Sequence, residues 1–326
     1  MTFTHPHPLI LTFILILLWA NASDAATAFI TNQGDHSVSI INTETNKVTD
    51  TIKVGTAPVG VAVSAAYHRA YISNVNGQSI SVINTDSKQL IKTYPIKGSP
   101  VGLLMSPDSK VLYVADWTDD RIYLLDANTM QTQYQIKVGK APAGMVISPD
   151  GKKLYVANRD SNDVAVIDTV TRQISHRIKL GNHPFGLALS QDGRALYTVN
   201  VVSNSVSITD TADFKTFSVK VGEHPYCVTP SKDGQWLYVT NTQDDSVSVV
   251  SIAEKNSVAK IKVGEVPEGI STDFKSGNIY VANWASNQVT VIDSKTQKVI
   301  TQIKTGDKSR AFGQFILQDS ALDKTP

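Results

Sequence analysis

Cysteine is almost absent from this sequence, because Cys227 is the only one in 326 residues. A lone thiol cannot form an intramolecular disulfide, and it cannot supply the Cys-x-x-Cys-His sequence that covalent c-type haem requires. An excess of charge of one sign is also missing, since 30 Lys and Arg residues stand against 29 Asp and Glu residues. This balance argues against a strongly basic nucleic-acid-binding protein and against an acidic disordered chain.

The short motifs that carry common catalytic chemistry are missing as well. There is no Gly-x-Ser-x-Gly elbow, no His-Glu-x-x-His pair and no Gly-x-x-x-x-Gly-Lys loop in the sequence. Nothing in it orients Cys227 beside a histidine as a nucleophile with its base. We therefore expect a protein that is not an enzyme.

The longest apolar run, Leu9 to Ala20, is shorter than the roughly 18 residues that span a bilayer. Small residues follow it up to Ala25, which is typical of a secretory signal peptide cleaved after Ala25. The segment before the run contains His5 and His7 but no Lys or Arg, so an uncleaved anchor is the alternative. Cleavage would leave a periplasmic or secreted chain with no membrane span.

One strand-like segment recurs along the chain at spacings of 42, 42, 42, 42, 41 and 42 residues. Its seven copies end at Asn32, Asn74, Asp116, Asn158, Asn200, Asn241 and Asn283. In the fourth copy, short alternating runs bounded by turn residues predict four strands, A to D: Gly144 to Ser148, Leu154 to Asn158, Val164 to Asp168, and Ile174 to Leu180. Seven such sheets predict an all-β, seven-bladed β-propeller of four-stranded antiparallel blades.

The two ends of the chain predict how the ring closes. The first copy begins at strand B, Ala28 to Asn32, whereas the segment after Gly306 contains only a strand A, Gly313 to Leu317. Together these fragments complete one blade and remove an exposed sheet edge. The expected organisation is a signal peptide at 1–25, a propeller at 26–317 and a tail at 318–326, and we expect a monomer.

The repeated LYVAN or LYVTN strand, the Pro-x-Gly before strand A, Ser-Pro-Asp-Gly and Val-x-Val-Ile-Asp together resemble the YVTN family of β-propeller repeats. The resemblance covers residues 27 to 317. It implies an exported bacterial or archaeal protein, such as a surface-layer protein, a periplasmic propeller linked to quinoprotein alcohol metabolism, or a propeller subunit of an amine dehydrogenase. It implies binding or scaffolding more often than catalysis.

Residues present in nearly every blade indicate architecture rather than chemistry. This applies to the Asn that ends strand B and to two sets of aspartates, those at the end of strand C (Asp126, Asp168, Asp210, Asp293) and those in the A–B turn (Asp108, Asp150, Asp192, Asp233). Lysines on the outermost strand, at Lys137, Lys179, Lys220 and Lys262, are expected to block edge-to-edge pairing rather than to bind nucleic acid.

Function is expected where blades differ, at the mouth formed by the Pro-x-Gly loops and the residues after strand B. Three loops are bland: Ala57-Pro58-Val59-Gly60, Ser99-Pro100-Val101-Gly102 and Ala141-Pro142-Ala143-Gly144. The next four carry imidazoles, aromatic rings and charges: His183-Pro184-Phe185-Gly186, His224-Pro225-Tyr226-Cys227, Val266-Pro267-Glu268-Gly269 and Arg310-Ala311-Phe312-Gly313. With Trp117 and Trp284 from the same face, these residues predict a ligand or partner site at His183, Phe185, His224, Tyr226, Glu268, Arg310 and Phe312.

Cys227 stands where six other copies have Gly, and His183 and His224 occupy equivalent places in adjacent blades. A copper or zinc site of His183, His224 and Cys227 is therefore one hypothesis, and a buried packing role for the thiol is the other.

The leading expectation is a propeller that binds a periplasmic or envelope protein, or a small ligand, through this mouth without a cofactor. One alternative is a redox-associated component, metal-bearing or part of a quinoprotein dehydrogenase system. A further alternative is a structural or adhesive protein of the cell envelope.

Overall fold

The computed structural model describes Met1 and residues 26–318. The expected signal peptide at 1–25 and the end of the expected tail, 319–326, lie outside these residues apart from Met1. Residues 26–318 form 29 β-strands and one 3-10 turn, Arg159–Ser161, with no α-helix in this range. No helix in the described part of the chain is long and apolar enough to cross a membrane.

The strands form seven antiparallel blades, as the sequence predicts. Blade 1 contains β1 (Thr27–Asn32), β2 (Ser37–Asn42), β3 (Lys47–Lys53) and the C-terminal β29 (Ile316–Leu317). Blade 2 contains β4 (Pro58–Ser64), β5 (Arg69–Asn74), β6 (Ser79–Asn84) and β7 (Gln89–Pro95). Blade 3 contains β8 (Pro100–Met105), β9 (Val111–Asp116), β10 (Arg121–Asp126) and β11 (Thr132–Lys137).

The remaining blades follow the same order from the ring axis outwards. Blade 4 contains β12 (Pro142–Ile147), β13 (Lys153–Asn158), β14 (Asp163–Asp168) and β15 (Gln173–Lys179). Blade 5 contains β16 (Pro184–Leu189), β17 (Ala195–Asn200), β18 (Ser205–Asp210) and β19 (Thr216–Lys220). Blade 6 contains β20 (Pro225–Pro230), β21 (Trp236–Asn241), β22 (Ser246–Ser251) and β23 (Asn256–Lys262). Blade 7 contains β24 (Pro267–Thr272), β25 (Ile279–Asn283), β26 (Gln288–Asp293) and β27 (Lys298–Lys304).

The core lies between adjacent blades rather than inside any one of them. Strands B and C are buried along almost their whole length, as in β13 and β14, because a blade is covered on both faces by its neighbours. Buried tyrosines of strand B cross these interfaces: Tyr71 Oη donates to the carbonyl of Ala127 at 2.7 Å, and Tyr280 Oη donates to that of Thr43 at 3.0 Å. Outermost strands such as β15 are largely exposed.

The repeated polar residues have the architectural roles expected of them. Asn32 Nδ2 donates to the hydroxyls of Ser37 and Ser39 at 3.0 and 2.9 Å, so this Asn ties strand B to strand C. Side-chain hydroxyls replace the backbone partners that the sequence suggested. In the A–B turn, Asp150 accepts hydrogen bonds from the Ser148 hydroxyl at 2.6 Å and from the Lys152 amide at 3.1 Å.

The ring is closed by the two ends of the propeller. Strand β29 pairs with β1 through Thr27↔Leu317 and Ala28↔Ile316, and the Phe29 amide donates to the carbonyl of Phe315 at 2.8 Å. Gln318, which the sequence analysis assigns to the tail, is also buried, and its Nε2 donates to the carbonyl of Thr272. A second short strand, β28 (Phe312–Gly313), runs parallel to β4 of blade 2. The C-terminal segment therefore bonds to blades 1, 2 and 7.

Replacement of the closing phenylalanine tests the importance of this segment. Phe315 is fully buried, so Phe315→Ala should lower the free energy of unfolding by about 3–5 kcal/mol. Phe217→Ala on the exposed outer strand β19 is the matched control and should cost less than about 1 kcal/mol. Urea unfolding measures both, and equal costs would contradict the account.

Candidate ligand-binding site

The innermost strand of each blade begins at the same face, so one residue per blade lines the mouth of the channel. We call these seven residues the inner ring: Val59, Val101, Ala143, Phe185, Tyr226, Glu268 and Arg310. Glycine follows most of them because the next blade passes very close. A Cβ on Gly102 would lie 2.1 Å from the carbonyl oxygen of Ala143.

The position of Arg310 corrects the sequence alignment. Ser309, not Ala311, pairs with Asn32, as Pro184 pairs with Asn200. The Gln33 amide donates to the carbonyl of Lys308, just as the Val201 amide donates to that of His183. The equation of Arg310 with His183 is therefore wrong by two residues.

The error has a structural cause. Closure inserts two residues before strand β29, and Phe312-Gly313 imitates the Phe185-Gly186 of a regular loop. Arg310 consequently occupies the place of Phe185 in the inner ring, and Phe312 is an additional side chain at the mouth.

Arg310 forms a buried polar cluster with the two preceding members of the inner ring. Its Nε lies 2.5 Å from Glu268 Oε2, and its Nη2 donates to Tyr226 Oη at 2.5 Å. Burial raises the pKa of Glu268, and the guanidinium of Arg310 opposes that rise. Burial lowers the pKa of Arg310, but Tyr226 and Glu268 outweigh this effect, so the guanidinium stays protonated.

Four aromatic rings pack beside this cluster. Phe185 lies with its ring centroid 4.2 Å from that of Tyr226, 5.0 Å from that of Phe312 and 5.9 Å from that of Trp117. The guanidinium of Arg159 lies 5.4 Å from the centroid of Trp117. The rings, three of them next to the channel axis, make a rigid apolar wall.

The opposite side of the mouth is left open by small side chains. A cavity of about 250 Å³, which we call the mouth cavity, lies there, and its walls are formed by Gln33, Val59, Val75, Ser99, Val101, Trp117, Phe185, Tyr226 and Arg310. It is bounded by valines on one side and by the aromatic wall and Arg310 on the other. This is the asymmetric mouth that the loop sequences predict.

Three of the predicted site residues do not line the mouth cavity. His183 and His224 have left-handed backbones, with φ of 55° and 51°, and His224 Nδ1 hydrogen-bonds Thr242 Oγ1 at 2.9 Å. Trp284 stands on the rim, where its Nε1 donates to Gln33 Oε1 at 3.1 Å and Lys308 Nζ lies 5.2 Å from its ring centroid. Glu268 reaches the cavity only through Arg310.

Gln33, Val75 and Ser99 line the cavity although no sequence motif singles them out. Gln33 and Val75 directly follow the last residue of strand B, as Trp117 and Trp284 do. Every residue after strand B shares the rim, so this place in the repeat was the available signal.

The proposed metal ligands do not fit a metal. No group of three or more His, Cys, Asp or Glu side chains within the described residues could hold an ion. His183, His224 and Cys227 form no such group. Cys227 is buried, and its amide donates to Thr240 Oγ1 at 3.0 Å. Burial raises the pKa of the Cys227 thiol, which favours the packing role.

The fold and this mouth define a closed seven-bladed β-propeller with an apolar, partly charged cavity at one end of its axis. The chain belongs to the YNCE-like beta-propeller family, whose model matches residues 13–184. No curated protein sequence matches the chain.

Solved structures support the fold alone, because each is less than 25% identical. Kuenenia stuttgartiensis hydrazine synthase is 24% identical with a TM-score of 0.75, covering 83% of this chain and 93% of that one. A Desulfotomaculum acetoxidans protein is 15% identical with a TM-score of 0.73, covering 88% and 99%. The dihydro-heme d1 dehydrogenase NirN is 12% identical with a TM-score of 0.69, covering 87% and 74%.

A double-mutant cycle tests whether Glu268 and Arg310 act as one unit. Arg310→Met or Glu268→Met alone should lower the free energy of unfolding by about 3–5 kcal/mol, because each leaves a buried charge without its partner. The double variant should cost less than the sum by about 1–3 kcal/mol. Urea unfolding measures all four proteins.

The matched control is the more exposed pair Lys260 and Asp244, whose Nζ and Oδ2 lie 2.8 Å apart. Its coupling should be much weaker because solvent screens it. Additive costs at Glu268 and Arg310 would contradict a coupled pair.

The buried thiol generates a separate prediction. Native Cys227 should react with an aromatic disulfide reagent at pH 8 at least about 100-fold more slowly than the thiol of the urea-unfolded chain, because the thiolate is disfavoured and enclosed. Absorbance of the released thiolate measures both rates. Comparable rates would show an accessible thiol.

Proposed function

We propose that this chain is an exported binding protein that holds a small ligand, or a side chain of a partner protein, in the mouth cavity and performs no chemistry on it. One observation carries the proposal: seven near-identical blades present seven unlike side chains in the inner ring. Bulky and charged residues are grouped in blades 5, 6, 7 and 1, and small ones in blades 2, 3 and 4.

Architecture alone does not require this asymmetry. The repeat keeps its turns, its Asn and its Gly in blades of both kinds, so the fold tolerates Val or Ala in the inner ring. A concave apolar surface with a few fixed polar groups is the usual form of a ligand site. Lining by rigid aromatic side chains also limits the entropy lost when a ligand binds.

Export and the finer family label belong to the same proposal. The apolar run before Ala25 favours secretion, and the repeated LYVAN and LYVTN strands favour a place among YVTN-type propellers. The family match and the mixed names of the similar structures are compatible with a binding role.

Filling the cavity tests the binding role. Val75 has the same place in the repeat as Trp117 and Trp284, so Val75→Trp should fold while its indole occupies the mouth. Small apolar fragments that bind the wild-type chain in ligand-observed NMR should lose at least about 10-fold in affinity in this variant.

Val202→Trp, at an exposed position on the same face but outside the cavity lining, is the matched control and should leave binding unchanged. Thermal unfolding confirms that both variants fold. Fragments that bind equally to all three proteins, or no fragment that binds, would remove the mouth cavity as the site.

A further inference from the structure

We propose that the mouth cavity recognises a small monocarboxylate with an apolar, aromatic-sized body, whose carboxylate accepts hydrogen bonds from Arg310, Tyr226 and Gln33. This inference rests on the proposed binding function and adds the chemical class of the ligand. The observation behind it is that the polar side chains lining the cavity offer donors, while their acceptors are already engaged.

Arg310 has one donor group left for a ligand. Its Nε faces Glu268 and its Nη2 donates to Tyr226, whereas no residue in the described part of the chain accepts a hydrogen bond from Nη1. A guanidinium has no acceptor, so it can meet a ligand only by donating. Arg310 is also the only charged residue among those that line the cavity.

Tyr226 and Gln33 are oriented as donors by their existing partners. Tyr226 Oη accepts from Arg310, so its own proton remains available to a ligand. Gln33 Oε1 accepts from the indole of Trp284, which fixes the amide and leaves both Nε2 protons free. The hydroxyl of Ser99 can donate or accept.

A carboxylate matches this set of groups better than an alcohol or an amine. It has two oxygens and about four acceptor positions, and charge-assisted hydrogen bonds are about twice as strong as neutral ones. An ammonium group would bring further donors against donors and a positive charge against Arg310.

The walls and the volume define the rest of the ligand. Val59, Val75 and Val101 face Phe185 and Trp117 across the cavity, which favours a flat apolar body. A volume of about 250 Å³ lies below the usual range for drug-sized ligands, so the body is about the size of one aromatic ring with a short chain.

Three probes with one body separate the possible end groups. Phenylacetate, 2-phenylethanol and 2-phenylethylammonium are titrated into the full chain by calorimetry. Phenylacetate should bind about 10-fold or more tightly than the alcohol, because its hydrogen bonds are charge-assisted, and the ammonium should bind most weakly.

Two variants assign the selectivity to the named side chains. Gln33→Met keeps the length of the side chain but removes its donors, and should reduce the preference for the acid over the alcohol by about 3-fold or more. Gln302→Met, on the exposed strand β27, should not change it. Arg310→Met with Glu268→Met removes the guanidinium without leaving a buried charge, and should abolish the preference while the alcohol still binds.

The outcomes separate this inference from the proposed function. Equal binding of acid and alcohol, lost from both in Val75→Trp, would keep the cavity as a ligand site and overturn the carboxylate. Absence of probe binding while other fragments occupy the mouth would overturn the carboxylate as well. If the fragments also ignore Val75→Trp, the binding role itself fails.

Discussion

The pairing of the C-terminal strand with the first strand of the chain is the constraint on which the rest of the structure depends. A blade is too small to bury both of its faces, so each needs a neighbour on either side, and only a closed ring gives every blade two neighbours. Strand β29 completes blade 1, and β28 reaches across to blade 2. Without them, β1 would be an open edge.

The same closure builds the candidate site. Arg310 and Phe312 lie in the closing segment, yet they contact Tyr226, Glu268 and Phe185, which come from blades 5, 6 and 7. The two inserted residues that connect the last full blade to β29 are also those that bring Phe312 to the aromatic wall. Structural closure and the departure from seven-fold regularity therefore arise from one segment.

Much of the fold follows from the sequence because repetition averages out local ambiguity. The spacing of strand ends fixed the number of blades, and the incomplete first and last copies indicated how the ring closes; both are confirmed. The aromatic and charged loops correctly indicated which side of the mouth differs.

The details of the site were harder to predict, for physical reasons. The alignment of Arg310 failed because Phe312-Gly313 imitates a regular loop, and strand pairing alone reveals the insertion. The two histidines were chosen for their chemistry, but a left-handed backbone places them in the loop rather than on the wall. Val75 and Val101 carry no chemical signal, although their small size is what leaves the cavity open.

Hydrogen exchange at the closing strands tests the central claim most directly. The Phe29 amide donates to Phe315 and the Arg310 amide donates to Thr31, so both should exchange as slowly as the buried amides of blade 4. That result would show that the ring stays closed in solution and holds Arg310 at the mouth. Fast exchange at both amides, with blade 4 still protected, would show an open blade 1 and contradict the account.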